Sequence, residues 1–183
     1  MMAPVFVKKT MEELNRPGTA AIKNAERFPV WIFLDDVRSM HNVGSVFRTA
    51  DAFHAAGICL CGYTPTPPHR DIHKTALGAT ETVPWRYAED IAAALAELKK
   101  EGFSVWAAEQ VHHSISLEDT AFAPDQKIAL VFGNEVTGVS EKALALCDGC
   151  IEIPQWGAKH SLNISVTVGV VLWEMVRSRR TSS

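Results

Sequence analysis

The chain contains no run of apolar residues long enough to cross a membrane, and Met1-Met2-Ala3-Pro4 is followed by no apolar leader segment. The sequence therefore predicts a cytoplasmic protein with no membrane partner. Cysteine is scarce, with only Cys59, Cys61, Cys147 and Cys150. Cys147-x-x-Cys150 has the spacing of half a metal site, but Cys59-x-Cys61 is a poor second half, so reduced structural thiols and no metal are expected. No G-x-G-x-x-G follows the first apolar run, and no G-x-x-x-x-G-K-[ST] occurs, which removes the usual support for dinucleotide or triphosphate binding. A G-x-S-x-G nucleophile elbow and an H-E-x-x-H zinc helix are also absent. Excess positive charge is lacking too. The formal net charge is −3, so any nucleic acid must be held by a local basic patch.

What is present describes an ordinary folded chain. With 183 residues, 47% apolar and 21% charged, it suits a single domain with a proper core. Residues 1–28 are polar and read as an N-terminal arm, in which Thr10 and Glu13 have capping-box spacing and Thr19 to Phe28 is helical. Residues 29–180 form one domain. Val30–Leu34 and Ile128–Phe132 are continuous apolar runs, as expected of strands covered on both faces. Ile58–Cys61, Phe103–Ala108 and Cys150–Ile153 are further strands. Helices are predicted from about Val43 to Ala56, closed by Gly57, from Asp90 to Lys100, from Ser140 to Cys147 and from Leu162 to Arg177. Tyr63 to Lys74 reads as a stiff proline-rich loop with a basic tip. Strands alternating with helices give an α/β fold, a mostly parallel sheet flanked by helices.

Two polar loops interrupt this apolar frame. Gly133-Asn134-Glu135-Val136-Thr137-Gly138 follows one strand, and Pro154 to His160 leads into Ser161-Leu162-Asn163 and the last helix. Both leave the carboxyl ends of predicted parallel strands, where open α/β sheets bind ligands. With Asn42 and Arg48 near the first long helix, they make a polar set that suggests a cofactor cup. Ser161 and Asn163 open a helix whose free N–H groups favour an anion, and Arg48 is a two-pronged donor for a phosphodiester. Plainer roles stand beside these. Ser161 or Asn42 suits a helix cap, Arg48 has Asp51 one turn on, and Gly44 leaves space beside its guanidinium. Glu135 suits a solvated carboxylate, and His69 to Lys74 a wet loop.

Asn42-Val43-Gly44-Ser45-Val46-Phe47-Arg48-Thr49-Ala50-Asp51, Phe132-Gly133-Asn134-Glu135-x-x-Gly138 and Ile153-Pro154-x-x-Gly157-x-x-x-Ser161-Leu162-Asn163 resemble, in order and distance, the three motifs of the TrmH-like SPOUT RNA methyltransferases. The resemblance implies a deep C-terminal trefoil knot, an exception to the general absence of knots. It also implies a homodimer that uses S-adenosyl-L-methionine, releases S-adenosyl-L-homocysteine and methylates the ribose 2′-oxygen of tRNA or rRNA. Carried onto this sequence, it assigns Asn42, Arg48, Glu135, Ser161 and Asn163 to catalysis and substrate orientation. It assigns Ala108, Phe132, Gly133, Asn134, Gly138, Ile153, Pro154, Ser161 and Leu162 to the cofactor. RNA would be met by Arg38, Arg70, His73 and Lys74, with Lys8, Lys9 and the arginine tail. Gln155-Trp156 stands where many relatives carry methionine and a small apolar residue, and Thr167 replaces a frequent alanine; both bear on substrate preference at the rim. The rival readings are a non-catalytic RNA-binding dimer of this fold and a SPOUT enzyme that methylates a base nitrogen.

Overall fold

The computed structural model describes residues 6–10, 12–14, 18–123, 125–158 and 161–180. The strands are β1 (Phe28–Asp35), β2 (Ala55–Cys61), β3 (Trp85–Ala88), β4 (Ser104–Ala108), β5 (Ile115–Ser116), β6 (Ile128–Phe132) and β7 (Gly149–Glu152). They form one sheet in the order β3-β2-β1-β6-β4-β7-β5, and every pairing is parallel. The helices are α1 (Thr19–Asn24), α2 (Met40–Ala52), α3 (Arg70–Ala76), α4 (Ala79–Thr82), α5 (Ile91–Lys100), α6 (Glu141–Leu144) and α7 (Ile164–Arg180). The α/β parallel-sheet expectation holds.

The continuous apolar runs occupy the middle of the sheet. Leu34 of β1 lies opposite Leu60 of β2 and Phe132 of β6, and all three are buried. A strand with neighbours on both edges and helices on both faces has no position for a polar side chain, so its sequence does not alternate. One core joins the sheet to α2 and α7, and the other joins it to α5 and α6. Cys59 and Cys61 are free and buried in the second core, with their sulfurs 3.6 Å apart.

Two features of α2 differ from expectation. The helix starts earlier because Ser39 caps it, its Oγ accepting from the Asn42 amide at 3.2 Å. Asn42 therefore lies within the first turn and its side chain is free for other work. The helix also ends earlier, at Ala52, and Gly57 belongs to β2. Its role is close approach, since a Cβ there would sit 2.7 Å from the Trp31 ring. Gly44 likewise leaves no open space, because its missing side chain lets α3 press against α2. An added Cβ would lie 2.3 Å from the Ile72 carbonyl oxygen and 2.1 Å from Thr75 Oγ1.

The proline-rich stretch does not remain a loop to Lys74. His69 Nδ1 accepts from the Asp71 amide and starts α3, so Arg70, His73 and Lys74 lie on a helix. After α3 the chain forms the short α4, and β3 follows it. In the arm, Thr10 and Glu13 form the reciprocal capping box: the Thr10 amide donates to Glu13 Oε2 and the Glu13 amide to Thr10 Oγ1. The helix expected from Thr19 to Phe28 is shorter, ending at Asn24, because Phe28 already pairs with Ala55 in the sheet.

The last helix buries one face within this chain. Ile164, Val168, Val171, Leu172 and Met175 enter the core, each contributing roughly 1.5–3 kcal/mol by area burial. This face packs α7 against α2. Val166, Val170 and Trp173 remain exposed on another face.

Candidate functional site

The loop after β6 is pinned to the end of β1. Asp35, almost wholly buried, accepts the Ser140 amide at 2.8 Å, and Asn134 Nδ2 donates to the Asp36 carbonyl at 2.7 Å. Asn134 Oδ1 accepts the Val136 and Thr137 amides, and Asn134 and Gly138 exchange backbone hydrogen bonds of 3.0 Å. Gly138 closes this turn with φ +70°, and a Cβ on Gly133 would lie 2.1 Å from the Gly138 carbonyl carbon. Both glycines are thus required by the geometry of the turn.

The turn folds Glu135 back onto the start of α2. Its Oε2 accepts the Arg38 amide at 3.1 Å; its Oε1 accepts the Ser39 amide at 3.2 Å and Asn42 Nδ2 at 3.0 Å. A carboxylate at a helix N-terminus also meets the positive end of the helix dipole. Partial burial opposes the charge, but the amides of Arg38, Glu135 itself and Ser39, with the Asn42 side chain, outweigh it. The Glu135 carboxyl is held below its ordinary range.

Asn42 passes the connection on. Its Oδ1 accepts from Asn163 Nδ2 at 3.1 Å, while Asn163 Oδ1 accepts the Ser165 amide at 2.9 Å and so caps α7. Three segments distant in sequence therefore meet in one line of side chains, Glu135–Asn42–Asn163.

Beside this line lies a cavity of about 560 Å³ at the carboxyl ends of β4, β6 and β7. Of the expected cofactor residues, Ala108, Phe132, Gly133, Asn134, Gly138, Ile153, Ser161 and Leu162 line it; Pro154 does not. Asn134 is committed through its side chain to shaping the turn, so what it offers the cavity is backbone. Glu135 and Asn163 also line it. Asn42 reaches it only through these two.

Arg48 does not line the cavity. It is exposed on α2, and among the described residues it has no hydrogen bond or ion pair, with Asp51 or any other group. Asp51 accepts instead from the Thr82 hydroxyl at 2.6 Å. Arg38, Arg70, His73 and Lys74 are likewise exposed and outside the cavity. Lys74 pairs with Asp71 at 2.8 Å, so its charge is partly offset before any partner arrives.

Arg48, expected to hold a phosphodiester together with Ser161 and Asn163, does not reach the cup, whereas Ser161 and Asn163 line it. The described lining carries Glu109, Glu135 and Glu152, whose charge disfavours a phosphate set beside them. Sequence reasoning missed Glu109 and Glu152, along with Gln110, while Gln155 and Thr167, expected at the rim, do line the cup. The only sequence signal of the missed residues is position: Glu109 follows the last residue of β4, and Glu152 ends β7. Both are fixed, Glu109 Oε2 by the Val139 amide at 2.8 Å and Glu152 Oε2 by the Ser114 hydroxyl at 2.8 Å.

An all-parallel sheet with a cup at its strand ends, carrying three carboxylates among the described residues, is an α/β arrangement that suits a small-molecule ligand. The comparisons with known proteins give the family. Residues 29–173 match the model of the SpoU rRNA Methylase family, and the chain belongs to that family. It is 32% identical to the 23S rRNA (guanosine-2′-O-)-methyltransferase RlmB of Vibrio vulnificus over 178 residues, 95% of this chain and 69% of the relative. The TrmH/SpoU tRNA modifying enzyme of A. aeolicus superposes with a TM-score of 0.79 at 25% identity, covering 90% of this chain and 82% of that one. The SpoU methyltransferase AviRb of Streptomyces viridochromogenes, in complex with the cofactor AdoMet, gives 0.75 at 25% identity, with 90% and 65% covered. Among the described residues, no helix is long and apolar enough to cross a membrane.

Proposed function

We propose that this protein transfers a methyl group from S-adenosyl-L-methionine to a ribose 2′-oxygen of RNA, tRNA or rRNA. The observation that carries this reading is the Glu135–Asn42–Asn163 line at the edge of the acidic cup. It joins all three motifs at one place.

The cup suits the cofactor. Its volume of about 560 Å³ falls in the range of small-molecule sites, roughly 300–1,000 Å³. Ala108, Ile153, Leu162 and Ile164 supply apolar surface for a purine. The three carboxylates among the described lining residues suit a ligand with an ammonium and a sulfonium. When bound, S-adenosyl-L-methionine supplies an activated methyl carbon and leaves as S-adenosyl-L-homocysteine.

The chain's own residues then have to place a hydroxyl in line with that carbon. Asn42 and Asn163 hold each other and stand next to the cup, where their amides orient the ribose. Glu135 positions Asn42 and the start of α2. It is a poor proton acceptor, because three donors already satisfy it and its carboxyl is held low. Arg48 stays protonated and, lying outside the cup, holds RNA by phosphate and ribose. Replacement by lysine keeps the charge and loses the fork. Arg48→Lys should lower kcat/KM for RNA about ten-fold with cofactor affinity unchanged, as one charge-assisted bond implies. Full turnover in that variant would remove Arg48 from this role.

The acting form in this reading is a homodimer, with a second copy covering the exposed stripe of α7. The threaded C-terminus belongs to this reading as well: β7 sits between β4 and β5, α7 packs on α2, and Ile153, Gln155, Ser161 and Leu162 from the connection between them line the cup. The domain division, an arm of residues 1–28 and one domain of 29–180, belongs to the same reading.

The test is direct. Calorimetry should show S-adenosyl-L-methionine binding, and incubation with unmodified tRNA and rRNA followed by nuclease digestion should yield a 2′-O-methylated nucleoside on mass spectrometry. A base-methylated product would move the acceptor to a nucleobase. RNA binding without cofactor binding would leave a non-catalytic RNA-binding dimer.

A further inference from the structure

Trp156 is 91% exposed, although tryptophan is the side chain with the most apolar area to hide. It follows Gln155, which lines the cup, on the segment between β7 and α7. Val136, which also lines the cup, is 85% exposed on the other loop. Each of the two loops beside the cup therefore holds a large apolar side chain out in water, Val136 in the lining and Trp156 next to the lining residue Gln155. Val136 is not needed to shape its loop, since that turn is closed through its amide and the Asn134 side chain.

Electrostatics decides which part of an RNA meets this rim. The cup's described lining carries three carboxylates, whose charge disfavours a phosphate set beside them. The parts of a nucleotide that approach without charge repulsion are the ribose and the base. A base has two apolar faces that match an indole in size and flatness, and exposed aromatics are the usual stacking platforms for unpaired nucleotides. Trp173 is exposed too, but it touches Phe53 and lies on the α7 stripe, away from the lining.

We propose that Trp156 is the stacking platform for a nucleobase of the substrate RNA at the mouth of the cup, with Val136 as a second apolar contact. The inference rests on the RNA methyltransferase reading above and names how that site grips its substrate. Stacking needs only a π-face, so this contact sets affinity for unpaired nucleotides and does not choose among bases.

The experiment uses the full chain, with a short single-stranded RNA of mixed sequence and an unmodified tRNA transcript as probes. Trp156→Ala should weaken binding of the oligonucleotide and raise KM for the transcript, each about ten-fold, the loss expected for one base–aromatic stack. Trp156→Phe should restore most of both. Calorimetric affinity for S-adenosyl-L-methionine and the sedimentation coefficient should stay at wild-type values. RNA should quench tryptophan emission in the wild type and much less in Trp156→Phe. Unchanged RNA affinity in Trp156→Ala, while the wild type binds and methylates, would overturn the stacking role alone. So would a loss accompanied by dissociation of the oligomer, which would place Trp156 between copies of the chain. A wild type that binds neither RNA probe would overturn the methyltransferase reading together with this one.

Discussion

Glu135 shows how a loop carboxylate becomes part of a site without becoming its base. It faces two amides and one carboxamide, which favour the charged form by more than partial burial disfavours it. Its contribution to stability therefore has a definite sign with pH. On acidification the unfolded chain takes up the proton first, near the ordinary carboxylate value of about 4.3, while the folded carboxyl resists. The stabilisation is complete above the unfolded value, declines below it, and is lost once the pH passes the lower folded value. Glu135→Gln keeps one acceptor and removes the charge from the helix end. At neutral pH it should cost about 1 kcal/mol, the small end of charge-assisted bonding because the residue is solvent-exposed. Urea unfolding of both proteins at neutral and acidic pH checks this: the gap between them should close as the acid limit is approached. A gap that stays constant with pH would mean that the charge is not what Glu135 contributes. Asn42 and Asn163 are coupled to it. Removing either amide should also misplace the other, so their effects on turnover should fall short of additive.

At the scale of helices and strands, Gly44 sets two propensities against each other. In an exposed helix, glycine to alanine gains up to about 1 kcal/mol. Here the new methyl meets the Ile72 carbonyl of α3, backbone that has no rotamer to change, and overpacking costs about 1–3 kcal/mol. Gly44→Ala should therefore lower Tm, measured by calorimetric melting, and a raised Tm would mean that α3 slides away freely. The same packing explains what the sequence revealed and what it hid. β1 and β6 were plain because a strand buried on both faces leaves an unbroken apolar run. β3 and β5 were not, since they are short edge strands and Trp85-Arg86-Tyr87-Ala88 is half wet. α3 was missed because prolines precede it and its cap is a histidine. The cup was legible where backbone shape dictates residue type, as at Gly133, Asn134 and Gly138. It was not legible at Glu109 and Glu152, whose types resemble any surface carboxylate until the strands bring them together. Arg48 was legible as an unusual residue, but its position outside the cup was not, and the Ser39 cap starts α2 three residues before the sequence suggested.

Across the whole molecule, charge and apolar surface point to two copies acting together. A protein of net charge −3 has no general attraction for RNA, and Lys74 is already paired with Asp71. Arg70 also lies 3.9 Å from Asp71, so the proposed dimer, by pooling Arg38, Arg48, Lys8, Lys9 and the arginine tail of two chains, strengthens the phosphate grip, and binding should weaken with salt. The surface for that dimer is the exposed stripe of α7. Val166, Val170 and Trp173 fall at intervals of four and three along α7, one side of the helix, with Trp173 57% exposed beside Phe53. The opposite face of α7 is anchored in the core through Val168, Val171 and Leu172, so a charge at Val170 leaves the fold intact. Val170→Asp should convert a dimer into a monomer in sedimentation velocity while the melting transition remains cooperative. The monomer should keep its own cup and bind S-adenosyl-L-methionine by calorimetry, yet lose most RNA affinity because only one set of arginines remains. If Val170→Asp sediments as the wild type does, the stripe faces something other than a second copy. If it becomes monomeric with RNA affinity unchanged, a single chain carries the whole RNA surface and the pooling argument fails.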